Sequence, residues 1–191
     1  NEKTINTGLK GAINLHAGKL PNYRGGSPVN WQIISGESYI YINIIKMVKE
    51  IDAGPVYEKA KIKISKKDNV GKIHNKINKI FPNLTLKTIS KIKNNFSPLK
   101  QKNKNIKYFK QRKDADGLIK WNNMSSKEVF NFVRAISKPY PGAFYLNKNG
   151  KKNRIYDCMV SKVKLKGKPG SFHTIKNKVY VKCKNGCIKL K

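Results

Sequence analysis

The run Asn14-Leu15-His16-Ala17-Gly18-Lys19-Leu20-Pro21-Asn22-Tyr23-Arg24-Gly25-Gly26-Ser27-Pro28, followed by Glu50-Ile51-Asp52-Ala53-Gly54-Pro55, sets the character of this chain. Residues 8–16 give a glycine turn and then a short apolar stretch, the pattern of a buried strand whose carboxyl end delivers Asn14 and His16. Positions two apart on a strand share a face, so both side chains point into one cleft. A loop rich in Gly and Pro follows over 17–28, and 36 positions separate His16 from Asp52.

Working outward, residues 29–35 predict a helix with Trp31, Ile33 and Ile34 inward, and 39–47 predict the next strand. Residues 56–64 alternate like a strand at the rim, and 69–81 and 84–92 predict two surface helices separated at Pro82. Strands and helices in alternation, with glycine-rich loops at strand ends, predict an open and mostly parallel α/β sheet. Residues 94–108 are poor in apolar groups and dense in charge, which marks a linker. Beyond it, 125–136 predict a helix capped by Ser125 or Ser126, with Val129, Phe130, Val133 and Ile136 as its buried stripe. From Ala143 onward, short alternating runs between Asn-Gly, Lys-Gly and Pro-Gly turns predict a small antiparallel barrel or sheet. The expected division is therefore 1–93, a linker over 94–120, and a second domain over 121–191.

With 191 residues and 38% apolar content, the chain can bury one sizeable core or two modest ones. No stretch reaches the roughly 18 unbroken apolar residues of a membrane span. Nothing at the start resembles a signal peptide, and a cytoplasmic protein is expected. Cys158, Cys183 and Cys187 are too few and too scattered for a disulfide framework, and no His or second Cys pair completes a zinc site. His74 and His173 read as surface residues, and Trp121 and Tyr140 as packing residues. The net charge of +32 invites a polyanionic partner. Lys outnumbers Arg 38 to 4, however, and the abundance of Ile and Asn beside Lys suits AT-rich codons as well as nucleic acid. The excess is uneven: +11 over residues 1–95 and +21 over 96–191.

Asn14-x-His16, the Leu20-Pro21-x-Tyr23-Arg24-Gly25 loop and Asp52-Ala53-Gly54 closely resemble the signature of the folate-dependent formyltransferase family, with no insertion needed to align them. Arg112 to Trp121 and Arg134 to Ala143 resemble the same family's linker and C-terminal domain. The resemblance implies a partial Rossmann-like α/β domain followed by a small, mainly β, OB-like domain. It implies N10-formyltetrahydrofolate as formyl donor, a primary amine as acceptor, and no metal. By the same resemblance, Asn14 and His16 hydrogen-bond the formyl oxygen, where negative charge develops as the amine attacks. Asp52 orients His16 and helps carry away the amine proton. Lys19, Leu20, Pro21, Tyr23, Arg24, Gly25, Ala53, Gly54 and Pro55 are the expected loop residues around substrate and cofactor. Arg24 has two readings: contact with substrate, or a tie between loop and sheet.

The chain departs from the family pattern at two places. Ile40-Tyr41-Ile42-Asn43-Ile44-Ile45 stands where relatives carry Thr-Gly-Val-Thr and a nearby His. Asn14 normally ends a late strand, so about 80 residues of βα units, at ~30 per unit, are expected upstream, and with them much of the folate pocket. The His-Ala-Gly-Lys-Leu-Pro loop, Asp116-Gly117 and the short span between Gly25 and Asp52 resemble enzymes that formylate nucleotide-linked amino sugars, whose relatives are often homodimers. The alternative is a methionyl-tRNA formyltransferase with tRNA as partner, which the basic second half favours. A third reading is an inactive fragment or basic binding module.

Overall fold

A computed structural model describes Ile5 and residues 8–102 and 104–191. Two compact units are present. The first takes residues through Gln32, Glu37–Lys66 and Lys72–Arg112, and the second takes Ile33–Gly36, Lys67–Gly71 and Lys113–Lys191.

The first unit is built on a three-stranded sheet. Strand β1 (Ile13–His16) pairs with β3 (Tyr39–Lys46), which pairs with β4 (Val56–Lys63). Both pairings are antiparallel, which corrects the expected mostly parallel sheet. For β3 and β4 the physical reason lies in residues 47–55. A parallel partner needs a crossover of a dozen or more residues, whereas this nine-residue connection carries no helix and returns β4 alongside β3. Ile40, Ile42, Ile44 and Ile45 of β3 are fully buried, so the central strand is covered on both faces. The β3–β4 register slips between Ile44 and Ile45, leaving Tyr57 of β4 as the extra residue, whereas the β1–β3 register, Asn14 opposite Ile45 included, is regular.

Short strand β2 (Arg24–Gly25) precedes helix α1 (Pro28–Ile34), with Pro at its first position where no N–H is required. Helix α2 (Val70–Lys93) is continuous through Pro82, where two helices are expected. Its buried positions Val70, Ile73, Ile77, Leu84 and Thr88 keep helical spacing across the proline. Pro82 and Asn78 are both exposed, so the Asn78 carbonyl that loses its helical donor faces water. Burial of the stripe offsets the ~3 kcal/mol that an interior proline costs.

Residues 94–108, read as a linker, are built into the first unit. Val56 and Leu99 exchange backbone hydrogen bonds of 2.8 and 3.0 Å, and β5 (Tyr108–Phe109) pairs in parallel with β2. Low apolar content hides such a segment, because main-chain pairing holds it rather than burial of side chains.

The second unit is small and mainly β. Helix α3 (Ser126–Ala135) starts at Ser125, whose hydroxyl accepts the Glu128 N–H while the Glu128 carboxylate accepts the Ser125 N–H in return. Its buried face is Val129, Phe132, Val133 and Ile136; Phe132 takes the place expected of Phe130, which is only half-buried. A hairpin of β6 (Ala143–Leu146) and β7 (Lys152–Ile155) accompanies a four-stranded sheet. That sheet runs β8 (Cys158–Ser161), β11 (Cys187–Leu190), β10 (Lys178–Lys182), β9 (Phe172–Ile175). Ile188 and Val181 lie at its centre, fully buried. Trp121 packs with Tyr145 and Phe172, ring centroids 6.3 and 6.4 Å away. His74 and His173 are half-buried rather than surface residues; burial lowers the His74 pKa, and Ser171 Oγ lies 3.1 Å from His173 Nε2.

Candidate active site

The end of β1 and the turn at residues 50–55 meet on the Asp52 carboxylate. Its Oδ1 accepts a hydrogen bond from Asn14 Nδ2 at 2.9 Å, and its Oδ2 accepts the Gly25 N–H at 2.8 Å. The same Oδ2 lies 3.4 Å from His16 Nδ1. Strand β1 and the loop at Gly25 thereby meet on one side chain, itself about nine-tenths buried. Asp52 has φ of +52°, in the left-handed region that Asp enters more readily than most residues. That backbone twist turns the carboxylate back toward β1.

His16 is buried at 5% exposure, and its Nε2 lies 2.7 Å from the Tyr23 carbonyl. A carbonyl can only accept, so a neutral ring places its proton on Nε2 and leaves the Nδ1 lone pair on the side of Asp52. Gly18 permits this closeness. A Cβ there would collide with His16 Nε2 and the Tyr23 carbonyl. Asn43, from the stretch that departs from the family pattern, donates to the Gly18 carbonyl at 2.6 Å. Fully buried Gln32 holds the start of the same loop through the Ala17 carbonyl at 2.8 Å.

The other expected loop residues divide by role. Lys19 turns to the Glu37 carboxylate at 3.1 Å. Partial burial works against its charged form, but the Glu37 contacts outweigh this and raise its pKa. Tyr23 stacks on Phe109 at 5.0 Å and donates its hydroxyl to Glu37 at 3.2 Å. The Leu20–Pro21 bond is cis. Arg24 is buried, with its guanidinium on Gln101 Oε1 at 2.8 Å and Tyr108 Oη at 3.0 Å, so it ties the loop to residues 101–108. Gly25 has φ of +90°, and a Cβ there would strike the Phe109 carbonyl. Ala53 closes its turn on Glu50, and the Pro55 carbonyl accepts from Lys46 N–H at 2.9 Å. Gln101 lay outside the sequence-based candidates, because it sits in the stretch read as linker. Among the described residues, no group of three His, Cys, Asp or Glu could hold a metal ion.

A cavity of about 190 Å³ opens beside this arrangement, lined by Asn14, Ile45, Met47, Val48, Ile51 and Asp52 among others. It presents the Asn14 amide and the Asp52 carboxylate beside Ile45, Met47, Val48 and Ile51, with Lys49 and Glu50 also in its lining. It is smaller than the ~300–1,000 Å³ of a complete ligand pocket, so it suits the reactive end of a molecule rather than a whole folate. Asn14 and Asp52 face it directly, while His16 stands behind Asp52.

The model of the formyl transferase domain matches residues 2–89, and that of the formyl transferase C-terminal domain matches 112–191. The two matches run in chain order and account for most of the sequence. The chain belongs to the formyl transferase family. A methionyl-tRNA formyltransferase of Staphylococcus epidermidis is 37% identical over 171 residues, covering 89% of this chain and 54% of that protein. This formyl transferase chain thus spans about half the length of the curated relatives it matches. Among solved structures, WlaRD, a sugar 3N-formyl transferase crystallised with dTDP and 5-N-formyl-THF, superposes with a TM-score of 0.73. It is 24% identical over 94% of this chain and 64% of its own. The methionyl-tRNA formyltransferase of Clostridium thermocellum superposes with a TM-score of 0.60 at 24% identity, over 74% of this chain and 65% of its own. At these identities the superpositions establish the fold: a partial Rossmann-like formyl transferase domain and a small β domain. Among the described residues, no helix is long and apolar enough to cross a membrane.

Proposed function

We propose that this chain carries the transfer centre of an enzyme that moves a formyl group from N10-formyltetrahydrofolate to the amine of methionyl-tRNA. The observation that carries the reading is the Asp52 carboxylate, which accepts from Asn14 Nδ2 at 2.9 Å and lies 3.4 Å from His16 Nδ1 beside a cavity that Asn14 and Asp52 line. When bound, the folate supplies an activated formyl group.

The chain's own residues supply the rest. One Asn14 amide proton is spent on Asp52; the second is free to meet the formyl oxygen, where negative charge grows. Asp52 lines the cavity and takes the proton that the attacking amine sheds, directly or through a water. His16, behind it, turns its Nδ1 lone pair toward the carboxylate and can accept the proton from it there. Ile45, buried, and Met47 and Val48, half-buried, limit the water that reaches the reacting atoms.

The tRNA acceptor is favoured by the 37% identity to a methionyl-tRNA formyltransferase and by the +21 balance over residues 96–191. A nucleotide-linked amino sugar is the second reading. The greater coverage and TM-score of the superposition on the sugar enzyme favour it, as does the short span between Gly25 and Asp52. Competing formylation assays on the longest natural form of the protein separate the two. Transfer to methionyl-tRNA, with binding that weakens steeply with salt, supports the first reading. Transfer to a dTDP- or UDP-amino sugar alone overturns it in favour of the second.

A further inference from the structure

We propose that Gln101 is a positioning residue for this centre: it clamps the Asp52 turn and, through Arg24, keeps Gly25 within reach of the Asp52 carboxylate. The inference rests on the formyl-transfer reading for its catalytic consequence, and on geometry alone for the clamp.

The Gln101 amide is fully used. Its Nε2 donates one proton to the Asp52 carbonyl and the other to the Gly54 carbonyl, both at 2.8 Å. Its Oε1 accepts from Arg24 Nη2 at 2.8 Å and from Arg24 Nε at 3.3 Å. A side-chain amide offers two donors and two lone pairs, and here every one has a partner. The contacts close a ring: the Asp52 carboxylate to Gly25 N–H, along the chain to Arg24, across to Gln101, and back to the Asp52 carbonyl. The backbone contact within the turn is weak, Ala53 N to Glu50 O at 3.3 Å, and Asp52 sits at a positive φ. The orientation of the carboxylate therefore depends on what grips the carbonyls on either side of Ala53.

The segment carrying Gln101 is anchored independently of it. Leu99 exchanges main-chain hydrogen bonds with Val56, and Tyr108 Oη accepts from Arg24 Nη1 at 3.0 Å. Glutamate at 101 would still accept from Arg24 but would turn an oxygen toward two carbonyl oxygens. Asparagine lacks the methylene needed to reach them.

The test is Gln101→Glu and Gln101→Met in the 191-residue chain, read by residue-resolved amide hydrogen exchange. With the clamp lost, the Gly25 amide exchanges on the order of tenfold faster, the consequence of weakening its bond to Asp52. The Val56 and Leu99 amides, which report on the segment itself, stay within about twofold. Equal acceleration at all three sites, or none at Gly25, overturns the proposal. A variant that fails to fold gives the first of these patterns and counts against it. In the full-length protein, kcat falls roughly 10- to 100-fold with KM for the amine unchanged, as expected of a displaced catalytic group. A rise in KM at constant kcat overturns the positioning role. A wild-type protein that transfers no formyl group removes the functional reading and leaves the exchange result standing.

Discussion

Replacing Asp52 by Asn changes one oxygen to an amide nitrogen and probes the whole centre. In the wild type, two donors, Asn14 Nδ2–H and Gly25 N–H, each have their own carboxylate oxygen at 2.9 and 2.8 Å. Asn at 52 offers a single oxygen, so one donor loses its acceptor and meets an N–H instead. A hydrogen bond to a charged group contributes about 1.5–3 kcal/mol, and this site is nearly dry, so the loss falls in that range. For a chain of this size, ~2–4 °C accompanies each kcal/mol, giving a fall in the thermal midpoint of roughly 3–12 °C. Circular dichroism melts of wild type and D52N measure it. In the full-length enzyme the same change removes the proton acceptor, and kcat drops on the order of 10²–10⁴-fold. A melt within 1 °C of wild type, taken as ~0.3 kcal/mol, would falsify the placement of the carboxylate between Asn14 and Gly25.

Gly18→Ala puts a methyl group onto His16 Nε2 and the Tyr23 carbonyl, so the loop must shift; the urea midpoint should fall by the equivalent of about 1–3 kcal/mol, and an unchanged midpoint contradicts the close approach. Asp114 is held at about 2, below its ordinary 3.8, first by hydrogen bonds from Arg154 and then from Lys152. Its folded-state pKa is depressed, so any stabilisation from these contacts is present above pH ~4 and is lost as the pH falls toward 2. Carbon-detected NMR should place the Asp114 midpoint near 2 and move it upward in Arg154→Met; a midpoint near 4 in wild type refutes the pairing. Burial pushes the Cys158 thiol up to about 12 and that of Cys183 to about 11. Iodoacetamide at pH 8 should therefore leave both unmodified in the native protein and label them in denaturant, whereas labelling of the native protein argues against the packing of the second unit.

Much of the centre was legible because its chemistry is local in sequence. Asn14 and His16 share a strand face by periodicity alone, and the Asp-Ala-Gly-Pro turn announces itself by residue type. The capping box at Ser125 and Glu128 is legible for the same reason. Features that depend on contacts distant in sequence were not. The antiparallel β3–β4 pairing follows from where residues 47–55 send the chain, which alternating strands and helices do not reveal. Pro82 reads as a helix break until the stripe of Ile73, Ile77, Leu84 and Thr88 is seen to be buried as one face. Gln101 was invisible because a polar side chain in a charged stretch carries no signal of the two carbonyls and the guanidinium it will meet. Arg24 shows the same limit, since only its partners decide between contact with substrate and a tie within the fold.

The most direct test of the central claim is formyl transfer from N10-formyltetrahydrofolate to methionyl-tRNA, measured for the full-length protein and its Asn14→Ala variant. The wild type should transfer the formyl group and the variant should lose roughly 10²–10³-fold in kcat, with KM for the tRNA little changed, because one donor to the formyl oxygen is gone. An Asn14→Ala protein that retains the wild-type kcat would contradict the assignment of this side chain, with Asp52, as the centre of the reaction.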